Sequence, residues 1–107
     1  MTLEELNTVL AGTGLQVAYL AFPADSPPNM PFLVYEETGS DNFGADNIVY
    51  TSAMMIQVTL FTVKKSRSTE LLVENALTNA GIYWERTSSY EEDEHCYLVI
   101  YDLEIGG

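Results

Sequence analysis

The one histidine and the one cysteine of this 107-residue sequence are adjacent, at His95 and Cys96, directly after four consecutive carboxylates. Imidazole, thiolate and carboxylate groups bind metals and supply nucleophiles and bases. In a strand or hairpin limb, however, successive side chains point to opposite faces, so the histidine and the cysteine should diverge. Adjacent carboxylates repel one another, and the calcium-loop spacing with its central glycine is missing. We therefore interpret the acids as a solvated hairpin tip without a metal site: Glu91, Glu92, Asp93 and Glu94.

Nucleophilic catalysis is not indicated by the remaining residues. Cys96 has acidic neighbours, whereas a reactive thiolate is favoured by nearby positive charge. His95 is the single candidate base, and the sequence contains no Gly-x-Ser-x-Gly elbow. The stretch "GSDNFGAD" has two glycines but no lysine, and its Asp41 and Asp46 would repel phosphate. We expect no enzyme, no catalytic residue and no cofactor.

Charge is the most unusual property of the composition. Sixteen Asp and Glu against four Lys and Arg give a formal net charge of −12. Binding of DNA or a membrane through a basic patch is disfavoured, because phosphate contacts require clustered cations. The acidity fits a protein that repels nucleic acid, mimics it, or is simply soluble. No apolar run is long enough to span a bilayer, so we expect no membrane partner.

Hydrophobic periodicity predicts two amphipathic helices and five strands in the order α-β-β-β-α-β-β. The capping-box spacing of Thr2 and Glu5 begins the first helix, and Gly12 is placed for a left-handed cap at its end. Ser66 or Ser68 can cap the second helix, which Gly81 closes. Its predicted buried stripe is Leu72, Val73, Ala76, Leu77 and Ala80.

The expected fold is α+β, a two-layer sandwich of a mainly antiparallel sheet with two helices on one face, in a single domain over residues 1–107. The long strand from residue 48 to 63 is apolar on both faces, which predicts a central position, with a bulge or bend near residues 51–53. The predicted loop-rich segments are 23–31, which contains all four prolines, 39–47 and 88–94, with a frayed end at 106–107.

The C-terminal run "STELLVENALTNAGIYWERTSSYEEDEHCYLVIYDLEI" carries three motifs: Gly-Ile-x-Trp, Tyr-x-Glu-x-Glu and Tyr-x-x-x-Tyr-Asp-x-Glu. With the chain length and the element order, they resemble the small tail-terminator, or tail-completion, proteins of long-tailed bacteriophages. The resemblance implies a non-enzymatic virion protein that forms a hexameric ring on the head-proximal end of the tail tube. Such a ring stops tube polymerisation and joins the tail to the head.

The resemblance also implies partners and a location. The partners are further copies of the chain, the tail tube protein, the head connector or stopper protein, and genomic DNA that passes through the lumen without specific binding. The location is the host cytoplasm during assembly and then the virion tail. The projecting segments of the family match 39–47 and 89–94, so the candidate contact residues are Asp41, Asn42, Phe43, Asp46, Glu91, Glu92, Asp93 and Glu94. A head-side completion or adaptor protein of the same viruses and an acidic DNA-mimic module stay open as alternatives.

Overall fold

Helices and strands follow one another in the predicted order. The computed structural model describes residues 1–23, 28–45 and 48–106, and of 41–45 and 48–52 it describes the backbone alone. The elements are α1 Leu3–Ala11, β1 Gln16–Tyr19, β2 Phe32–Ala45, β3 Ile48–Thr62, α2 Arg67–Asn79, β4 Trp84–Glu91 and β5 Cys96–Gly106.

The five strands form one sheet in the order β1-β2-β3-β5-β4. β1 pairs with β2 in parallel, and the other three pairings are antiparallel. β3 therefore lies in the centre, as its apolar residues on both faces predict. The prediction of a mainly antiparallel sheet is confirmed.

Both helices pack on the same face of the sheet, which confirms the two-layer α+β sandwich. Leu6 and Leu10 of α1 and Val73 and Leu77 of α2 are fully buried there. They pack in one cluster with inward-facing side chains of three strands, β2, β3 and β5. The buried sheet residues of this cluster are Leu33, Tyr35, Ile56, Val58, Leu60, Val99, Tyr101, Leu103 and Ile105.

The helix ends confirm one predicted cap and correct another. At α1 the Thr2 hydroxyl accepts from the Glu5 amide and the Glu5 carboxylate accepts from the Thr2 amide, both at 3.1 Å, which is the predicted capping box. The left-handed cap predicted at Gly12 is wrong, because Gly12 is right-handed at φ −64°. The chain turns left-handed two residues later, at Gly14 with φ +84°.

At α2 the prediction of a Ser66 cap and a closing Gly81 is confirmed. The Ser66 hydroxyl accepts from the Thr69 amide, and Gly81 has φ +76° directly after the last turn. Leu72, predicted to be buried, is instead 48% exposed. The inward face of α2 is set by residues at positions i, i+3, i+4 and i+7, which turn Leu72 outward. These inward residues are Glu70, Val73, Glu74 and Leu77.

Two of the predicted loops are strand for most of their length. Residues 39–45 continue β2, and β3 begins again at Ile48, so the 39–47 loop is wrong for the residues that the structure describes. The pairing of β2 with β3 shifts register between Glu37 and Gly39 and again between Phe43 and Gly44, which accommodates extra residues in the ladder. The second shift faces the step from Thr51 to Val49 in β3, next to the predicted bulge at 51–53.

The other predicted loops also change in extent. Residues 88–91 belong to β4, which leaves a turn of four residues, 92–95. Of the 23–31 segment, residues 24–27 lie outside the described residues, and residues 28–31 contain no strand. Gly106 is not frayed, since it pairs with Ala53 and its carbonyl accepts a 2.9 Å hydrogen bond from the Met1 ammonium. Gly107 lies outside the described residues.

Candidate functional site

The acidic stretch that the sequence singles out is a hairpin turn between β4 and β5. Glu91 ends β4 opposite Cys96, and His95 takes a left-handed conformation with φ +52° that lets the chain reverse. The His95 amide donates to the Glu92 carbonyl at 3.3 Å, which closes the turn. Side chains of Glu92 to His95 are exposed. Among the described residues no three His, Cys, Asp or Glu side chains converge well enough to hold a metal ion.

Cys96 is only 2% exposed, as expected for a small apolar residue in a strand. Burial raises the pKa of its thiol, and the nearby carboxylates of Glu94 and Glu91 raise it further. The thiol therefore stays protonated at neutral pH, and a thiol is a poor nucleophile. The arrangement disfavours covalent chemistry at this residue.

The candidate contact residues lie at two opposite ends of the sheet. Asp41, Asn42 and Phe43 belong to β2. Asp41 pairs with Ala53, which is also opposite Gly106 at the end of β5, and Asn42 and Phe43 lie beyond that point. Asp46 lies outside the described residues. The turn with Glu91, Glu92, Asp93 and Glu94 lies at the other end, beside the C-terminal end of β3. The two segments therefore cannot form one site within a single chain.

An ion cluster with buried carboxylates and partly exposed cations, which the sequence reasoning missed, joins α2 to the sheet. Glu70 and Glu74 of α2 are 1% and 4% exposed. Arg67 lies between them, with Nη1 at 2.8 Å from Oε1 of Glu70 and from Oε2 of Glu74. Lys65 Nζ lies 2.8 Å from Oε2 of Glu70. The sequence does contain a signal for this cluster. Two acids lie four residues apart on the inward face of a helix, just after "KKSR".

Two residues of the sheet complete this cluster. Arg86 of β4 donates from Nη1 to Oε2 of Glu74 at 2.9 Å, and the Tyr101 hydroxyl of β5 donates to the same oxygen at 2.9 Å. Burial by itself would raise the pKa of the Glu74 carboxyl, but the donors Arg67, Arg86 and Tyr101 outweigh it and hold the pKa below its usual value. The cluster therefore joins the helical layer to the sheet through an ionised carboxylate.

Glu70 behaves in the same way as Glu74. Burial opposes its charge, and the adjacent cations of Lys65 and Arg67 overcome that effect, so its pKa is lowered. Burial and the bond to Glu74 raise the pKa of Tyr101 well above its ordinary value. The cluster thus holds two carboxylates and a neutral phenol among three cations. Because these groups are occupied by one another, the arrangement favours stabilisation of the fold over proton transfer.

The face of the sheet opposite the helices has a regular arrangement of side chains in rows across the strands. In one row, Phe32, Phe61 and Leu98 are cross-strand neighbours, and the rings of Phe32 and Phe61 stack with centroids 4.8 Å apart. The next row contains Val34, Thr59, Ile100 and Thr87. Together these rows form what we call the apolar band. None of the described helices covers it.

Carboxylates flank the apolar band at both ends. The row beyond Ile100 is acidic and consists of Glu36, Gln57, Asp102 and Glu85. At the other end, a cavity of about 800 Å³ lies over Phe32, Phe61 and Leu98. Its rim includes Met30, Cys96 and three acids of the turn, Glu91, Asp93 and Glu94. This face is therefore apolar in the middle and negative at both ends.

Comparison with known proteins shows a likeness of fold to solved structures. No protein-family model matches the chain, and no curated protein matches its sequence. Among solved structures, the chain is similar to a chain from the virion of a native gene transfer agent particle, with a TM-score of 0.62. The likeness covers 98% of this chain and 89% of the other at 12% identity, so the two share a fold. Neither described helix has the length and apolarity needed to cross a membrane.

Proposed function

We propose that this chain is a non-enzymatic structural protein of a tailed phage or phage-like virion. In this role it caps the head-proximal end of the tail tube, stops tube polymerisation and joins the tail to the head connector as a hexameric ring. The observation that carries the proposal is the shared fold over nearly the whole length of both chains with a protein of a gene transfer agent virion. The resemblance of the C-terminal motifs to tail terminators supports the same role.

The β2–β3 hairpin gives this role a physical basis. β5 ends opposite Ala53, so the described residues of β2 and β3 beyond that point, 42–45 and 48–52, form a two-stranded arm outside the five-stranded sheet. A two-stranded ribbon is marginally stable in water and gains stability by packing on another surface. In a ring, each arm contacts the next subunit and the last contact closes on the first. Asp41, Asn42, Phe43 and Asp46 remain our candidates for this contact.

The charge suits a ring through which DNA passes. A net charge of −12 repels phosphate, so the DNA meets a lumen to which it does not adhere. Glu92, Asp93 and Glu94, exposed on the β4–β5 turn, are our candidates for the end that faces the lumen or the head connector, with Glu91 at their base. The partners in this proposal are other copies of the chain, the tail tube protein and the head connector protein.

The test uses tail tube protein from the same genome, polymerised with and without this chain and measured by negative-stain electron microscopy. Capping predicts shorter tubes of narrower length distribution, with one end carrying extra density. The control is an armless variant in which Asn-Gly replaces residues 42–52, so that Asp41 and Ala53, which pair in the sheet, flank the new turn. It should keep the fold and lose the capping.

The outcome also separates the alternative of a head-side adaptor. An adaptor would leave tube length unchanged and would bind the purified connector instead. Unchanged tubes without connector binding would contradict both roles. If the armless variant caps as well as the intact chain, the ring contact does not use the arm.

A further inference from the structure

The face of the sheet opposite the two helices has chemistry that the proposed role does not use. Its apolar band is built around Phe32, Phe61 and Leu98, whose side chains are each partly exposed. Phe22 packs edge-on against Phe32 with centroids 5.1 Å apart, which extends the apolar surface. The band therefore has the composition of an interface core, in which aromatic side chains are enriched.

The charges around the band define what can bind it. Asp102 and Glu85 lie directly opposite each other on β5 and β4, and Glu36 belongs to the same row. Like charges opposite each other in a sheet are destabilising, and a cation placed between them removes the repulsion. At the far end, Asp93 and Glu94 of the turn add two further carboxylates on the rim of the cavity. Within the described strands the single cation is Arg86, which points to the helix side and binds Glu74.

A second copy of the chain does not meet this requirement. Of the four Lys and Arg, three bind the carboxylates of the ion cluster: Lys65, Arg67 and Arg86. Among the described residues, Lys64 is the one Lys or Arg side chain without an ion pair. A copy would bring a further net charge of −12 to an acidic face. The occupant is therefore a different polypeptide.

We infer that this face docks an extended segment of another protein that is apolar in the middle and basic at both ends. Along β5, Asp102 lies six positions after Cys96, which is opposite Glu91, and these six steps correspond to about 20 Å. In a partner segment of about nine extended residues with two cations at each end, the inner cations lie about 20 Å apart, over the two groups of carboxylates. The inference goes beyond the proposed role, because it concerns the face of the sheet and not the arm, and its test needs no tail tube.

The test compares two synthetic peptides of identical composition. One has two lysines at each end of a Leu-Val-Phe-Val-Leu centre, and the other has the four lysines in the centre and the apolar residues at the ends. Binding to the intact chain is measured by titration while amide shifts are followed by NMR. The first peptide should bind at least about fivefold more tightly, since each matched surface pair adds a fraction of a kcal/mol. The shifts should concentrate on β2, β3 and β5, at residues facing away from the helices.

Variants that replace carboxylates with amides locate the contact without disturbing the core. E85Q/D102N and D93N/E94Q each remove two carboxylates of this face, and E4Q/E37Q removes two exposed carboxylates elsewhere. The first two variants should weaken binding of the first peptide about threefold or more, and the control should change it less than twofold. Equal binding of both peptides, equal loss in the control, or shifts on the helix side would overturn the inference. Since tube capping is scored separately, failure here leaves the proposed function standing.

Discussion

The hydroxyl of Tyr101 in β5 donates a 2.9 Å hydrogen bond to Oε2 of Glu74 in α2 and so joins the sheet to the helical layer. The same carboxylate oxygen accepts from Arg67 at 2.8 Å and from Arg86 at 2.9 Å. One buried oxygen thus receives donors from a helix and two strands. This relationship sets the position of α2 on the sheet.

Removing the phenol hydroxyl should weaken the fold. Tyr101→Phe keeps the ring in the core but takes one donor from an ionised, buried carboxylate, which should cost about 1–2 kcal/mol in the free energy of unfolding. Urea denaturation, monitored by circular dichroism, measures this change in the free energy of unfolding. The matched control is Tyr83→Phe, since Tyr83 is 77% exposed and bonds Glu85 at the surface. Equal stabilities of the two variants would contradict the role of the buried bond.

The ion cluster should make stability depend on pH. Because the pKa values of Glu70 and Glu74 are lower in the folded chain than in the unfolded one, their contribution is complete above the unfolded value of about 4.3. It is lost as the pH falls through the folded values. Arg67→Gln should therefore lower the free energy of unfolding at pH 7. This loss relative to the natural chain should become smaller as the pH falls below about 4.

Lys64→Gln is the control for this pH series, because it removes the same charge at an exposed position without an ion pair. Its effect on the free energy of unfolding should be small at neutral pH. If the difference in the free energy of unfolding between Arg67→Gln and the natural chain stays constant from pH 7 to 3, the ion cluster is not the source of the pH dependence.

The carboxylates of Asp102 and Glu85 face each other across β5 and β4 with no cation of the described strands on that face. Asp102→Asn should therefore stabilise the chain by about 0.5 kcal/mol at low ionic strength, because it removes a direct cross-strand repulsion. In about 0.5 M salt the gain should largely vanish through screening. Glu37→Gln, at an exposed position outside the acidic row, serves as the control in thermal denaturation. A loss of stability in Asp102→Asn would contradict this account of the face.

The end of α2 requires a left-handed residue at Gly81, with φ +76°. Gly81→Ala should cost about 1 kcal/mol, although no atom obstructs its methyl group, because the strain lies in the backbone. Gly39→Ala also has free space and has no positive φ, so it should change stability by less than about 0.5 kcal/mol. Denaturation of both variants measures the difference. Equal effects would contradict the left-handed cap.

Much of the fold follows from local rules that the sequence contains. The capping box of Thr2 and Glu5, the Ser66 cap and the closing Gly81 are local contacts of a few residues, and all are confirmed. The central position of β3 follows from apolar side chains on both of its faces. Leu72 could not be placed correctly by hydrophobicity alone, because two ion-paired glutamates occupy the inward face of α2 that apolar residues were expected to fill.

The candidate site was less accessible to sequence reasoning. Asp41 to Phe43 lie in β2 because Gly, Asp and Asn, which favour turns in isolation, are held by pairing with residues 51–53 of β3. Pairing between distant strands also creates the acidic row, whose members Glu36, Glu85 and Asp102 are far apart in the chain. The ion cluster likewise needs Arg86 and Tyr101 to meet α2 through the tertiary fold. Such sets depend on register, which no local pattern specifies.

Cryo-electron microscopy of intact particles that contain this chain tests the proposed role most directly. The account predicts density for this two-layer α+β fold as a closed ring of six copies at the junction of tail tube and head, with the β2–β3 arm of each copy on its neighbour. Density for this fold at another position in the particle, or its absence from purified particles, would contradict it.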